Sequence, residues 1–325
     1  MKTFMYMAIA AIGTLTAAGA TAQEKPENFP SRTVNLIVPF APGGATDVIA
    51  RTVAQKLSEQ WGQPVIVDNR AGGNGNIGAA AAAKSNADGY TLLMATSSHA
   101  INATLYKKLN YSLGKDFAAL SKIAEVPLML VVHPSVPANS PKQLSAHASA
   151  HPGKLNFGSG GVGTAAHLAG ELFNTSSNAQ MVHVAYKGGA PAITDLVGGQ
   201  IQVMFANLPE VMGQVKAGKL RALAVTGDSR NAQQPDVPTF KESGFKDIEL
   251  KSWFGLFARK DTPKQIINKL SSDIAKAVAH PQVQARLKEL GSEPVGNTHA
   301  EFQPYVISEI ERWGAIVQQS GASAD

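Results

Sequence analysis

The sequence contains no cysteine and has little aromatic or charged content. The absence of cysteine excludes disulfides, thiolate metal sites, cysteine nucleophiles and lipid attachment through a cysteine. Aromatic residues make up 6% of the chain and the basic residues are scattered, so the sequence lacks the basic stripe with interleaved aromatics that nucleic-acid binding favours. After the first residues, no hydrophobic run is long enough to span a bilayer.

The first 22 residues have the pattern of an export signal. Lys2 supplies a positive start, residues 4–15 are mostly apolar, and small residues precede a predicted cleavage after Ala22. A membrane anchor is the alternative, but the uncharged stretch is barely long enough for ~30 Å of hydrocarbon. We therefore expect a periplasmic, monomeric mature protein of 325 − 22 = 303 residues, a length that suggests two domains.

From Thr33 onward, short β-branched runs, glycine-rich turns and helical stretches alternate, which is typical of an α/β fold with parallel strands. Apolar runs at 123–132 and 253–258 interrupt the alternation and predict two crossings between lobes. We place a discontinuous first lobe in 23–121 and 249–325, and a second lobe in 122–248. Two crossings define a hinge, so we expect the lobes to close on a ligand.

Two glycine-rich loops each lie between a predicted strand and a predicted helix: the first loop (Pro39–Asp47) and the second loop (Gly158–Thr164). Backbone amides at a helix N-terminus attract anions, and glycine lets a ligand approach them closely. Thr46 and Asp47 are expected to cap and order the first loop. Two such loops facing each other would suit a carboxylate. Arg70 and Lys187 are the candidates for a direct ion pair with it.

Other chemistries fit the sequence less well. The second loop lacks both the acidic residue of a dinucleotide site and the lysine of a phosphate-binding loop. Phe157 stands where a hydrolase elbow around Ser159 would need glycine, so a serine hydrolase or isomerase is not favoured. Histidine spacing predicts no metal site. Ser97, Ser98 and His99 follow the third predicted strand, where open α/β sheets bind ligands, and Asn207 follows a later one.

Several motifs occur in order through nearly the whole predicted mature chain. They are Pro39-Phe40 with Gly43-Gly44 and Asp47, Asn69-Arg70 with Gly72 and Gly75, Asp88-Gly89-Tyr90-Thr91, Gly158-Ser159 to Thr164 with His167-Leu168, Tyr186-Lys187-Gly188-Gly189, Leu220-Arg221-Ala222, Asp236-Val237-Pro238-Thr239 and Trp253-Phe254-Gly255. This ordered set resembles the tripartite tricarboxylate transporter receptors, the Bug-type periplasmic solute-binding proteins. The chain departs from the resemblance at Ala71, where similar proteins usually have proline, and at Arg259, where a small residue or proline is common.

The resemblance implies a two-lobed periplasmic-binding-protein fold of the Venus flytrap type, with a carboxylate held by main-chain amides in the cleft between the lobes. It implies delivery to the permease subunits of a tripartite tricarboxylate transporter, or docking on a sensor protein as the alternative. It implies no enzymatic activity, cofactor, metal or nucleic-acid partner. Dicarboxylates, tricarboxylates, acidic amino acids and aromatic acids such as terephthalate all remain candidates.

Together the loops, the strand ends and the resemblance define a set of predicted ligand-binding residues. They are Phe40, Ala41, Gly43, Gly44, Thr46, Asp47, Asn74, Ser97, Ser98, His99, Ser159, Gly160, Gly161, Gly163, Thr164 and Asn207.

Overall fold

The computed structural model describes residues 26–246, 248, 250–320, 322 and 324. The predicted export signal in residues 1–22 lies outside these residues. Among the helices of the described residues, none is both long and apolar enough to cross a membrane.

The N-terminal third builds three parallel strands with helices between them. Its elements are β1 (Val34–Val38), α1 (Ala45–Trp61), β2 (Val65–Asn69), α2 (Asn76–Ala83), β3 (Thr91–Thr96), α3 (Ser97–Leu105) and α4 (Leu113–Asp116). β1 pairs in parallel with both β2 and β3. Helix α1 buries Ile49, Val53 and Leu57, which lie on one face at helical spacing, and it ends at Gly62 in the left-handed conformation.

The middle of the chain repeats this plan around a second group of strands. Its elements are β4 (Phe117–Val132), α5 (Pro141–Ala150), β5 (Asn156–Ser159), α6 (Ala165–Ser177), β6 (Val182–Ala185), α7 (Gly189–Val197), β7 (Val203–Asn207), α8 (Leu208–Lys216) and β8 (Arg221–Val225). β5 pairs in parallel with β6 and β7. Each of the helices α6, α7 and α8 therefore follows the carboxyl end of a strand in this group.

The chain then returns to the first group of strands. The remaining elements are β9 (Lys251–Arg259), α9 (Lys264–Ala279), α10 (Pro281–Glu289), β10 (Glu293–Pro294) and α11 (His299–Ser320). β9 lies between β3 and β4 and is antiparallel to both. Trp253 of β9 and Trp313 of α11 are buried, and both indole N–H groups donate to the Glu309 carboxylate at 3.0 and 2.7 Å.

Strand β4 connects the two groups of strands. Phe117 to Pro127 pairs with β9, whereas Leu128 to Val132 pairs with β7 and β8. One continuous strand therefore belongs to both halves of the molecule, and the predicted two-lobed α/β architecture is confirmed.

Sequence patterns missed the helices α3, α4 and α5 and the two-residue strand β10, and they placed the start of strand β4 too late. Helix α3 begins with Ser97, Ser98 and His99, whose polar side chains give no apolar pattern at its start. Helix α5 follows a proline-containing segment, which the sequence pattern predicted to be a connection between elements. β4 begins at Phe117, before the predicted apolar run at 123–132, because polar Ser121 and Lys122 interrupt the run yet lie within the strand. Burial of both side chains explains why hydrophobicity alone did not reveal this part of β4.

Candidate functional site

A cavity of ≈ 50 Å³ lies between the two groups of strands, near the carboxyl ends of β1, β3, β5, β6 and β7. Since a water-sized group needs ~10–15 Å³ of such space, the cavity has room for roughly three to five of them. The residues that line it are Phe40, Ala41, Gly44, Thr46, Thr96, Ser97, Ser98, Gly160, Thr164, Ala165, Ala166, Gly188, Gly189, Met204, Asn207, Glu210, Ser252 and Phe254.

Five helices begin at this cavity. Gly44 precedes α1, Ser97 opens α3, Ala165 opens α6, Gly189 opens α7 and Asn207 precedes α8, and all five residues line the cavity. The amide groups in the first turn of a helix lack intrahelical partners, and the helix dipole makes this end positive. The convergence of five such ends produces a site suited to negative charge.

The cavity-lining residues include the carboxylate of Glu210 and no lysine, arginine or histidine. Arg70 pairs with Asp68 at 2.7 Å, and Lys187 is exposed and outside the lining. Arg259 donates to main-chain carbonyls at the end of α2 and also lies outside the lining. Any anion in this cavity would therefore be held by amide and hydroxyl groups.

A buried carboxylate orders the first loop from behind. Asp47 accepts hydrogen bonds from the Gly43 amide at 3.0 Å and from the Asn69 side chain at 2.9 Å, and it pairs with Arg51 at 3.0 Å. Burial opposes ionisation, but the hydrogen bonds from Arg51, Gly43 and Asn69 outweigh it and hold the pKa of Asp47 below its usual value. The N-cap of α1 is Gly44, which has no side chain to cap the helix.

Neutral groups order the second loop. The Thr164 hydroxyl caps α6 by accepting from the His167 amide at 3.2 Å and donates to the Gly161 carbonyl at 2.9 Å. Ser159 Oγ accepts from the Gly161 amide at 3.2 Å. Gly160 and Thr164 line the cavity, whereas Ser159 and Gly161 lie behind it.

Ser159 also lies 2.7 Å from His183 Nε2, a pair that sequence spacing did not reveal. His183 packs against His167 with the rings tilted by 31° and their centroids 4.0 Å apart. Burial, followed by the neighbouring His167, lowers the pKa of His183 to about 4, while Glu171 opposes the shift. Ser159 is 0% exposed and neither member of the pair lines the cavity, so in this conformation the pair supports the loop.

Gly163 lies where the two halves of the molecule meet. A Cβ atom at this position would lie 2.2 Å from Leu105 Cδ2 and 3.0 Å from Asn74 Nδ2. Asn74 itself donates to Asn102 at 2.7 Å and does not line the cavity. The role that the structure supports for Gly163 and Asn74 is therefore close packing between the halves.

His99 lies behind the cavity wall, whereas Ser97 and Ser98 line it. His99 Nδ1 accepts from the Thr96 amide at 3.1 Å, and the Thr96 side chain accepts from Ser98, which completes a capping box at the start of α3. Burial lowers the pKa of His99 to about 4, which keeps its ring neutral. His99 thus orders the helix end that presents the two serines.

The most notable residue that sequence reasoning missed is Glu210. Its Oε1 atom accepts from the Ala45 amide of α1 at 3.0 Å, across the cavity, and its Oε2 atom lies 3.4 Å from Asn207 Nδ2. Burial raises the pKa of Glu210, although the hydrogen bonds from Ala45 and Asn207 oppose this. The glutamate three residues after Asn207 has capping-box spacing, which could have drawn attention to it.

The other missed lining residues have two origins. Ala165, Ala166, Gly188 and Gly189 lie at the starts of α6 and α7 and present backbone, so their side chains gave no signal. Thr96, Met204, Ser252 and Phe254 come from β3, β7 and β9, and their position depends on how distant strands pair. Among the described residues, no group of three or more histidine and acidic side chains is placed to hold a metal.

The model of a family described as "Tripartite tricarboxylate transporter family receptor" matches residues 49–322. The chain is 38% identical over 317 residues to "Protein BugT" of Bordetella pertussis, covering 97% of each chain.

Two solved structures from R. palustris are similar and contain organic acids. One, described as being with adipate, is 37% identical with a TM-score of 0.88, covering 91% of this chain and 99% of that one. The other, MatC with bound malate, is 30% identical with a TM-score of 0.85, covering 89% and 100%.

Proposed function

Because the chain belongs to the tripartite tricarboxylate transporter receptor family, a family of periplasmic solute-binding proteins, we propose that it captures a small organic acid in the cavity between its lobes. We further propose that it delivers this acid to the membrane permease subunits of a tripartite tricarboxylate transporter.

The observation that carries the proposal is the convergence of five helix N-termini on one cavity that no basic side chain lines. Such a site can bind a carboxylate through amide hydrogen bonds without a salt bridge. The adipate and malate in two similar structures support a carboxylate as the ligand class. The small cavity favours a short acid in the closed conformation.

The pairing of β4 supports a hinge. The strand changes partners at Pro127 and Leu128, a few residues after the predicted boundary at 121, and the chain returns through β9. Contacts across the cavity, such as Glu210 to Ala45, are those of closed lobes. We propose that the lobes open about these two strands and that ligand favours the closed form.

Cellular location and partners follow from the same assignment. We propose that residues 1–22 direct export and are removed after Ala22, and that the mature protein works in the periplasm as a monomer. Closed, liganded lobes would be the form that the permease recognises. A sensor protein could read the same closed form, so it is the alternative partner.

The ligand can be identified from the protein itself. Native mass spectrometry of the protein as purified, followed by a thermal-shift screen of organic acids, should reveal a bound acid and rank its relatives. At a concentration one hundred times the dissociation constant, linkage predicts about 2.7 kcal/mol of added stability. The methyl ester or amide of the same acid is the control. An equal shift with these neutral analogues would contradict carboxylate recognition.

Binding without catalysis has its own test. The acid should be recovered unchanged after long incubation with the protein, as judged by mass spectrometry. A product that depends on the protein, and that disappears in Ser159→Ala, would instead assign chemistry to the Ser159–His183 pair.

A further inference from the structure

The carboxylate of Glu210 lies between the starts of two helices that belong to different lobes. A Cβ atom at Gly189, the first residue of α7, would lie 2.4 Å from Glu210 Oε1, and one at Gly44 would lie 3.4 Å from the same atom. Oε1 also accepts from the Ala45 amide at 3.0 Å. Burial raises the pKa of Glu210, but both of its side-chain oxygens face N–H donors, which is the pattern of an ionised carboxylate. We therefore assign Glu210 a negative charge at one end of the cavity that we assign to the ligand.

Asn207 adds a second hydrogen-bond acceptor at the same end. Its Nδ2 atom faces the Glu210 carboxylate at 3.4 Å, which fixes the orientation of the amide because a donor must face that acceptor. The opposite atom, Oδ1, is buried and has no hydrogen-bond partner in the described structure. A buried acceptor without a partner destabilises the protein, so a ligand that supplies a donor would gain by binding here.

The charges of the cavity make some ligands less favourable than others. A ligand carboxylate bound at the helix N-termini would share the cavity with Glu210. Two carboxylates that share a site cannot both stay ionised without a large penalty. A diacid would add two negative charges to that of Glu210, and the lining contains no basic side chain to balance them.

A protonated nitrogen on the ligand would give the unpaired Asn207 acceptor a partner and would reduce the excess of negative charge in the cavity. It would place a positive charge beside Glu210 and offer N–H donors to Glu210 and to Asn207 Oδ1. The same ligand would keep one carboxylate for the N-terminal ends of α3 and α6, whose first residues Ser97 and Ala165 also line the cavity.

Capping of α8 alone would not explain where the Glu210 side chain lies. Glu210 stands at the third position of α8 and accepts from the Asn207 backbone, as a capping box requires. A cap needs no contact with the other lobe, yet Oε1 reaches the first amide of α1 across the cavity.

We propose that Glu210, assisted by Asn207, is a specificity-determining residue that selects acids carrying a protonated nitrogen over hydroxy acids and diacids of similar shape. The inference rests on the proposed function, since it assumes that the cavity binds a carboxylate.

Calorimetric titration of matched ligand pairs tests the inference. L-aspartate and L-malate differ by an ammonium in place of a hydroxyl, and β-alanine and succinate differ by an ammonium in place of a carboxylate. The wild-type protein should bind the nitrogen-bearing member of a pair at least tenfold more tightly. In Glu210→Gln, which keeps the shape and removes the charge, this preference should shrink at least tenfold. Glu210→Asp should retain part of it.

A matched control separates charge from folding. Glu289→Gln changes an exposed glutamate of α10 that pairs with Arg286 at 2.8 Å, and it should leave the preference unchanged. Melting curves of all variants report whether they are folded. If Glu210→Gln does not fold, the ratio measured in Glu210→Asp and in Asn207→Leu decides, because loss of the second acceptor should also reduce the preference.

The remaining outcomes distinguish failure of this inference from failure of the proposed function. Binding of acids without nitrogen, with no gain for L-aspartate or β-alanine, overturns this inference and leaves the proposed function standing. An equal gain in affinity for every acid in Glu210→Gln also overturns it, and would show that Glu210 merely competes with ligands for the α1 amide. Failure of every organic acid to bind would overturn the proposed function as well.

Discussion

The two glycine-rich loops face the same cavity but are ordered by different chemistry. The first loop depends on the ionised carboxylate of Asp47, which receives hydrogen bonds from Gly43 and Asn69. The second depends on the neutral groups of Ser159, Thr164 and His183. One lobe thus uses charge to hold its amides in place, and the other uses hydroxyl and imidazole hydrogen bonds.

Similar glycine patterns therefore do not imply similar responses to a change of charge or of pH. A change that removes charge should affect the first loop, whereas a change that protonates imidazole should affect the second. Steric changes should act most strongly where the second loop meets the other lobe.

The largest effect is expected from Gly163→Val. The glycine has a φ of 82° and its Cβ position lies 2.2 Å from Leu105 in the opposite lobe, so valine would strain the loop and hold the lobes apart. We expect affinity for the identified acid to fall about 100-fold, or about 2.7 kcal/mol, in a calorimetric titration.

Gly153→Val is the matched control for Gly163→Val. Gly153 has a φ of 71° but no atom within 4 Å of its Cβ position, so the substitution adds backbone strain without a clash. This variant should lose stability and keep its affinity. Equal affinities in the two variants would contradict the assignment of Gly163 to the closed interface.

Asp47→Asn should selectively weaken the first loop. The amide keeps the size of the side chain but loses the charge that strengthens its hydrogen bonds, so we expect a loss of about 2 kcal/mol in the free energy of unfolding. Urea denaturation measures it. Asp261→Asn, at an exposed carboxylate 3.4 Å from Arg259, should change stability by much less.

Acidification should destabilise the second loop through His183. His183 has its pKa lowered from the usual 6.5 to about 4, so between these values the unfolded chain binds a proton that the folded chain does not. Stability is therefore lost as pH falls from about 6.5 to 4. Because His183 is partly exposed, we expect roughly 1–2 kcal/mol.

Asp47 contributes little in the same window, since its lowered pKa moves its loss of stability below its usual 3.8. His99, whose pKa is also lowered to about 4, contributes equally in the wild type and in variants of other residues. Denaturation at several pH values should show a shallower slope in His183→Gln than in the wild type. His151→Gln, at an exposed histidine, should keep the wild-type slope. Identical slopes in all three proteins would show that His183 does not cause the loss of stability at low pH.

The smallest effect is expected from Thr164→Val. The hydroxyl already accepts from His167 and donates to Gly161, so its loss should cost about 1 kcal/mol of stability through the helix cap. Thr164→Ser keeps the hydroxyl and is the control. An affinity loss of tenfold or more in the valine variant alone would show that this hydroxyl also contacts the ligand.

Sequence patterns predicted the fold better than the site. Strong periodicity and glycine turns gave the order of most strands and helices, and strand ends pointed to Ser97, Ser98 and Asn207, which line the cavity. Asp47 and Ser159 were predicted as ligand contacts but lie behind the loops, because sequence shows that a polar residue is near a turn and not which way it faces.

Glu210 shows the remaining limit. Its contact with the Ala45 amide joins residues 165 positions apart and exists only when the lobes meet. No local pattern encodes the distance between two lobes, so a side chain that crosses the cavity could be found only in the assembled molecule.

The position of β9 between β3 and β4 also has a consequence for folding. The edge of β3 stays unpaired until residues 251–259 arrive from far along the chain, and such long-range pairing slows folding. An N-terminal fragment would expose that edge, which carries buried Leu93 and Ala95, to other chains. The contiguous segment from Leu128 of β4 to the end of β8 contains the partners of its own strands, so we expect it to gain protection from hydrogen exchange first.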